Sequence, residues 1–350
     1  MKKETFHLTI RFLVGLAASL LICSGMIMTE KLGSNKPLIQ QASGLKGTET
    51  VMTVNGEPVT AEEYLYLVSY SAQSLTYYGI TDLNTELGEG YTAADYVREQ
   101  AESQAVQQAV IRKWAKDVNV TLTEEDQAAL QAQKDAYGAD LEKALKLNGI
   151  SEAQYDQLMN TSALYNRLYA AYCGADGEMR PSDSDLTAMA EDHGLMTADV
   201  LFISTTELDD AAKADAKALM EDYARQIAAA DDKAAGFATL EAGENVTVNA
   251  GVTYDGCDET ALNTALAALA EDEVSSVIED ESGYYVALRR PTDLNAAAEM
   301  AFGEDMSARM ANAQTAYNEA VYSKIDVAAY YTRFSAAQQK LYTQLTEAQG

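Results

Sequence analysis

Histidine is the scarcest chemically useful residue in this chain: there are two, His7 and His193. His7 falls in the N-terminal targeting region, so a single imidazole serves the whole folded part. Mechanisms that need two histidines, or a histidine metal cluster, are excluded within one chain. Cysteine is nearly as sparse, with Cys23, Cys173 and Cys257. Cys23 lies in an apolar run. Cys173 and Cys257 could pair in an exported protein, although two cysteines so far apart set no pattern. Bases are short too: 25 against 54 acids, a formal charge of −29. Such a chain repels phosphate backbones, so no nucleic-acid partner is expected, and basic or unfolded, mixed-charge partners are favoured. There is no Gly-x-Ser-x-Gly elbow, P-loop, zinc-type spacing or EF-hand loop. The acidic triplets 271–273 and 279–281 read as solvated turns rather than calcium sites. In "GEGYTA", Gly88, Gly90 and Ala93 match a dinucleotide fingerprint in form. No strand is expected ahead of them, so the stretch reads as a loop. No cofactor and no metal is expected.

What is present points outward from the cytoplasm. Lys2, Lys3 and Arg11 precede an uncharged stretch from Phe12 to Met28. A bilayer takes about 17–25 apolar residues, and the core of a cleaved signal about 7–15. The basic flank stays inside, which sends the rest of the chain out. Leu20-Leu21-Ile22-Cys23 has the look of a lipobox, but Ile22 stands where a small residue is wanted. The reading is an uncleaved signal anchor over 1–30, with cleavage or lipidation as alternatives, and a membrane contact through that segment. A linker rich in Gly, Ser and polar residues covers 31–50.

At 350 residues the chain allows two domains with real cores. Residues 51–195 read as helical hairpins after a short strand. Val51 to Val54 alternates, Asn55-Gly56 is a turn pair, and Thr60 with Glu63 forms a capping box. Further helices are expected from Ala93 to Val118, from Thr123 to about Asn148-Gly149, from Ser151, and from Ser182 to Gly194.

The texture then changes. Over 196–292, "ADVLFIST" reads as a strand, "ELDDAAKADAKALMEDYARQIAAA" as an amphipathic helix and "NVTVNAGVTYDG" as a strand. "DETALNTALAAL" reads as a helix, and "VSSVIEDESGYYVALRR" as two strands about an acidic turn. That order makes a small α+β domain. Residues 293–350 return to helix, whose apolar face is expected to pack on the first domain. The fold class is therefore α+β and multidomain, mostly helical overall.

Laid on named residues, this organisation resembles the extracytoplasmic foldases of the SurA and PrsA type. "TVNGEPVTAEEYLYL" is similar to their opening strand-turn-helix, and "VNVTLTEEDQAAL" and "NGISEAQYDQLM" to the helix starts that follow. "GCDETALNTALAALAEDEVSSVIEDESGYYVAL" holds the register of their inserted parvulin-type peptidyl-prolyl isomerase domain without a gap. It places Gly256, Leu262, Ala265, Leu269, Glu273, Val274, Ser275, Gly283 and Tyr284 at the pattern positions. "GFATLEA" is similar to the family's Phe-Ala-x-Leu-Ala, and "ADVLFIST" to its first strand, Ala-x-His-Ile-Leu-Val.

The departures fall on the chemistry that the resemblance implies. The first-strand histidine is read at Asp199, the last-strand histidine at Tyr285, the pocket methionine at Asp258 and the pocket phenylalanine at Leu262. A buried, unpaired carboxylate repels a proline ring, and the hydrogen-bonding centre is gone. The expectation is a SurA-like helical chaperone domain carrying a parvulin-like domain whose isomerase activity is weak or lost. An active isomerase with an atypical site and a non-enzymatic envelope adaptor are the alternatives. The expected clients are unfolded or newly secreted proteins. With 21 tyrosines against 6 phenylalanines and one tryptophan, contact with them is assigned to Tyr64, Tyr66, Tyr70, Tyr77 and Tyr78. The same tyrosines could instead pack helix on helix.

Overall fold

The computed structural model describes residues 36–256 and 260–347. The predicted anchor lies outside the described residues, as do Cys257 and Asp258. No helix among the described residues is long and apolar enough to cross a membrane.

The elements run α1 (Leu38–Ser43), β1 (Thr50–Val54), β2 (Glu57–Thr60), α2 (Ala61–Thr76), β3 (Glu86–Gly88), β4 (Tyr91–Thr92), α3 (Ala93–Asp117), α4 (Glu124–Tyr137), α5 (Ala139–Asn148), α6 (Glu152–Cys173) and α7 (Asp183–Asp192). They continue β5 (Leu195–Ser204), α8 (Asp210–Ala229), α9 (Lys233–Ala238), β6 (Thr247–Asp255), α10 (Ala261–Ala268), β7 (Ile278–Glu279), β8 (Gly283–Arg290), α11 (Leu294–Ala311), β9 (Thr315–Tyr317), α12 (Glu319–Tyr322) and α13 (Val327–Glu347). Two compact units result. One takes the described residues up to Ala170 together with Asp305 onward; the other is Ala171–Glu304.

The helical unit starts where its caps say it should. Thr60, Thr92 and Thr123 each accept the backbone N–H three residues on, at Glu63, Asp95 and Asp126, and in the second unit Ser182 does the same for Asp185. An orphan N–H at each helix start is thereby satisfied. Three expectations fail here. The linker predicted over 31–50 holds α1, whose Leu38, Ile39 and Ala42 are buried. The helix predicted from Thr123 to Asn148 is two helices, broken at Gly138. The stretch around "GEGYTA" is not a bare loop but the β3–β4 hairpin, turning at Gly90 and leading into α3.

The α2 helix is buried almost all round, from Ala61 to Ser69. Its Glu63 carboxylate receives Arg112 Nη1 at 2.9 Å and Gln157 Nε2 at 2.8 Å. The C-terminal α13 closes this core. Tyr330 and Phe334 are fully buried, and the Tyr330 hydroxyl lies 2.8 Å from Ser69 Oγ. Arg333 donates to the Ala42 carbonyl, and Gln338 to that of Leu147. The segment after α11 is not continuous helix as expected. β9 adds antiparallel to β1, completing a sheet ordered β2-β1-β9. Asn55 and Asn318 hold it, accepting from Gln314 N–H and donating to the Thr50 carbonyl. Tyr317 and Tyr322 both donate to the Glu102 carboxylate on α3.

The second unit is an antiparallel sheet ordered β6-β5-β8-β7. Helices cover both faces. Leu201, Ile203, Tyr284, Val286 and Leu288 pack on α8 and α9 through Met220, Tyr223, Ile227 and Phe237. Met196, Ala198, Val200 and Ala287 pack on α10 through Leu266. The two-residue alternation of strands assigns these sets to opposite faces.

Candidate functional site

The pattern residues of the α+β unit can now be placed. The β5–β8 ladder runs without slip from Thr197↔Arg290 to Ser204↔Gly283. It pairs Phe202 with Tyr285, Val200 with Ala287 and Asp199 with Leu288. Alternation puts Tyr285, Phe202 and Val200 on the α10 face, and Asp199 on the other. Asp199 therefore does not share a site with Tyr285, and assigning it the first-strand histidine position is corrected. The residue that faces the right way is Val200. The signal was in the sequence: Ala-x-His-Ile-Leu-Val laid on Ala198 to Ile203 puts the histidine on Val200.

Asp199 does structural work. Its Oδ1 accepts the Gly251 N–H at 2.6 Å, and its Oδ2 lies 3.6 Å from Arg290 Nε. The β5–β6 pairing slips between Ala198 and Val200, and Gly251 takes φ +63°. The carboxylate satisfies a backbone donor that the bulge turns away from the ladder. Glycine is needed there because side-chain-bearing residues avoid that φ.

On the α10 face, the Phe202 and Tyr285 rings lie 4.7 Å apart between centroids, tilted by 32°. The Tyr285 hydroxyl is 2.7 Å from Ser282 Oγ, which donates to Asp280 Oδ1 at 2.6 Å. Asp280 Oδ1 also accepts the N–H groups of Ser282 and Gly283. Burial pushes the Tyr285 phenol above its usual range; Asp280 adds to this and the Ser282 bond opposes it. Burial works to raise the Asp280 carboxyl, but hydrogen bonds from Ser282, Gly283 and Tyr285 together hold it below the usual range. Leu262 and Tyr254 border the same apolar cluster as Tyr285.

Gly283 is fixed by space. A Cβ there would lie 2.0 Å from the Ile203 carbonyl oxygen and 2.8 Å from Phe202 Cε2. The glycine of the last-strand motif thus lets β8 approach β5 closely and seats the Phe202 ring. Among the described residues the one imidazole, His193, caps α7 and lies 3.1 Å from Glu304 Oε1. No cluster of three or more His, Cys, Asp or Glu side chains among the described residues is placed to hold a metal. The face offers apolar contact, the Tyr285 hydroxyl already engaged by Ser282, and the phenol of Tyr254 at its border. Among the described residues it has no free acid or base poised for proton transfer. Sequence reasoning missed Ser282 and Asp280, whose roles depend on the turn that brings them to Tyr285.

The five tyrosines assigned to client contact separate sharply. Tyr64 and Tyr66 are buried in α2, and burial pushes both phenols well above their usual range. Tyr70 is half-buried. Tyr77 and Tyr78, at the end of α2, are 79% and 81% exposed. A surface role in this state falls to Tyr77 and Tyr78.

No family model matches the chain, and no curated protein matches it. Solved structures similar to it include the peptidylprolyl isomerase PrsA of Bacillus anthracis, at 16% identity, covering 67% of this chain and 96% of that one, with a TM-score of 0.27. The foldase protein PrsA of Streptococcus pneumoniae is similar at 17% identity, over 75% of this chain and 99% of that one, with a TM-score of 0.23. One of two structurally related SurA-like chaperones of Campylobacter jejuni is similar at 12% identity, over 77% and 98%, with a TM-score of 0.24.

Proposed function

We propose that this chain is an extracytoplasmic protein-folding factor, held to the membrane by its N-terminal segment. It binds unfolded secreted proteins, and its α+β unit keeps an isomerase scaffold with little or no turnover. The observation that carries the reading is the face around Tyr285. Twisting a prolyl amide meets a barrier of about 18–20 kcal/mol. A site lowers it only by favouring the twisted state over the planar one. Val200 and Phe202 offer no hydrogen bond. The Tyr285 hydroxyl is tied to Ser282 and Asp280, and the Phe202 ring lies against Tyr285. Among the described residues, Val200, Phe202 and Leu262 can hold an apolar side chain but offer no hydrogen bond to the twisting amide.

Client contact is assigned to Tyr77 and Tyr78, whose exposed rings present apolar faces with polar tips. Aggregation of a denatured protein, followed by light scattering, tests this on the same preparation used for proline turnover. The wild-type chain is expected to suppress aggregation without measurable turnover. The Tyr77→Ser, Tyr78→Ser double variant should keep its stability to within about 0.5 kcal/mol, as surface changes do. It should suppress aggregation less well. Full suppression by that variant would remove these two residues from the account, and no suppression by the wild type would remove the chaperone role.

A further inference from the structure

We infer that β6 is a strand-addition site, taking an extended segment of another polypeptide whose uncharged core is flanked by basic residues. β6 stands at the edge of its sheet, and among the described residues it pairs only with β5. Thr247 to Val252 are exposed one after another, with Val248 at 48% and Val252 at 37%. From Thr247 to Tyr254 the strand carries no charge, in a chain with a formal charge of −29. Edge strands are ordinarily blunted by charge, proline or a covering element, because their free N–H and C=O groups template pairing. This one has a bulge at Gly251 and none of those other guards along its uncharged run.

The ladder shows which groups are free. Gly256 donates to the Gly194 carbonyl, and Asp255 pairs with Leu195. Bonded pairs alternate in an antiparallel ladder, so Tyr254 and Val252 turn their amides inward and Thr253 turns outward. Beyond the bulge Asn249 pairs with Val200 and Val248 with Leu201, so Val248 turns outward. Thr253 and Val248 thus present N–H and C=O groups to a new strand.

The ends of the strand select the occupant. Exposed Glu241 and Glu244 precede it, and Asp255 ends it. A second copy of β6 paired antiparallel would bring the acids of one chain against those of the other, with −29 on each. A segment with lysine or arginine on either side of a neutral, β-prone core meets complementary charge at both ends. Main-chain pairing reads extension rather than sequence, which suits binding of many unfolded segments. The inference deepens the chaperone reading and rests on it for the nature of the partner.

The test uses the full chain and a labelled peptide with a Thr/Val core about the length of β6 and lysines at both ends. A control peptide carries glutamates in their place. The lysine peptide is expected to bind, the glutamate peptide not, and added salt should weaken the binding. On binding, the Val248 and Thr253 amides should gain hydrogen-exchange protection. Val248→Pro should weaken binding by about tenfold or more, since it removes an outward donor without breaking the ladder to β5. Val248→Thr should bind like the wild type. Binding without added protection at Val248 and Thr253, or no binding of the lysine peptide, overturns the inference. If Val248→Pro fails to fold, protection in the wild type decides alone. A concentration-dependent dimer that protects the same amides without peptide would assign the edge to a second copy and overturn it too. Aggregation suppression is read separately, so loss of strand addition with suppression intact leaves the chaperone reading standing.

Discussion

Glu63→Ala is expected to destabilise the helical unit by about 3–5 kcal/mol, the range for breaking a buried ion pair from one side. The Glu63 side chain is fully buried, and Arg112 is only 16% exposed. The guanidinium reaches the carboxylate with both terminal nitrogens, at 2.9 and 3.4 Å, and Gln157 donates to it as well. Removing the carboxylate leaves a largely buried cation without its counter-charge. The remaining acceptor for Arg112, the Pro58 carbonyl at 3.5 Å, is neutral. Replacing both residues together by methionine should recover most of the loss, because no charge is then stranded. Urea unfolding followed by the emission of Trp114, the one tryptophan, reads this unit directly.

Acid titration checks the same group. Burial pushes the Glu63 carboxyl above its usual range, against the opposing pull of Arg112. The folded state therefore holds the proton at pH values where an unfolded glutamate, at about 4.3, has lost it. This contribution to stability is full below the unfolded value and declines as pH rises through the folded one. Glu63→Gln should flatten that part of the pH profile and cost less than Glu63→Ala.

Phe334→Ala should cost about 3–5 kcal/mol, as expected for deleting a buried aromatic ring. Phe334 has no exposed surface and stacks near Tyr330 and Tyr331, with centroids 5.9 and 6.4 Å away. The packing around it is tight enough that a Cβ on Gly149 would lie 2.9 Å from Phe334 Cε2. The hole has little room to collapse, because fully buried Ile39 also borders it. Phe334→Leu should cost much less. Equal losses for the two would mean that the ring's shape, and not its volume, holds α13 in place.

Much of this fold is written locally. Thr60, Thr123 and Ser182 mark helix starts because a capping hydroxyl must precede the N–H it accepts. The strands around "ADVLFIST" and "GYYVALRR" show themselves by β-branched and aromatic content. What could not be read depends on distant partners. Thr315–Tyr317 looks like part of an alanine-rich helix and becomes β9 only because β1 lies beside it. Tyr64 and Tyr77 are the same residue type one helix apart in fate, since a helix buried on all sides has no polar face to mark the buried positions. The misassigned Asp199 was a matter of one residue, and a one-residue shift moves a side chain to the other face of a sheet. The link from Tyr285 through Ser282 to Asp280 needs the turn before β8, which composition does not specify.

The face around Tyr285 is proposed to keep a scaffold without its chemistry. Protease-coupled cis-trans isomerisation of a proline peptide by the full chain tests it most directly, with Tyr285→Ala alongside. Turnover is expected to be indistinguishable from the uncatalysed rate for both. Robust turnover by the wild type that Tyr285→Ala abolishes would contradict it.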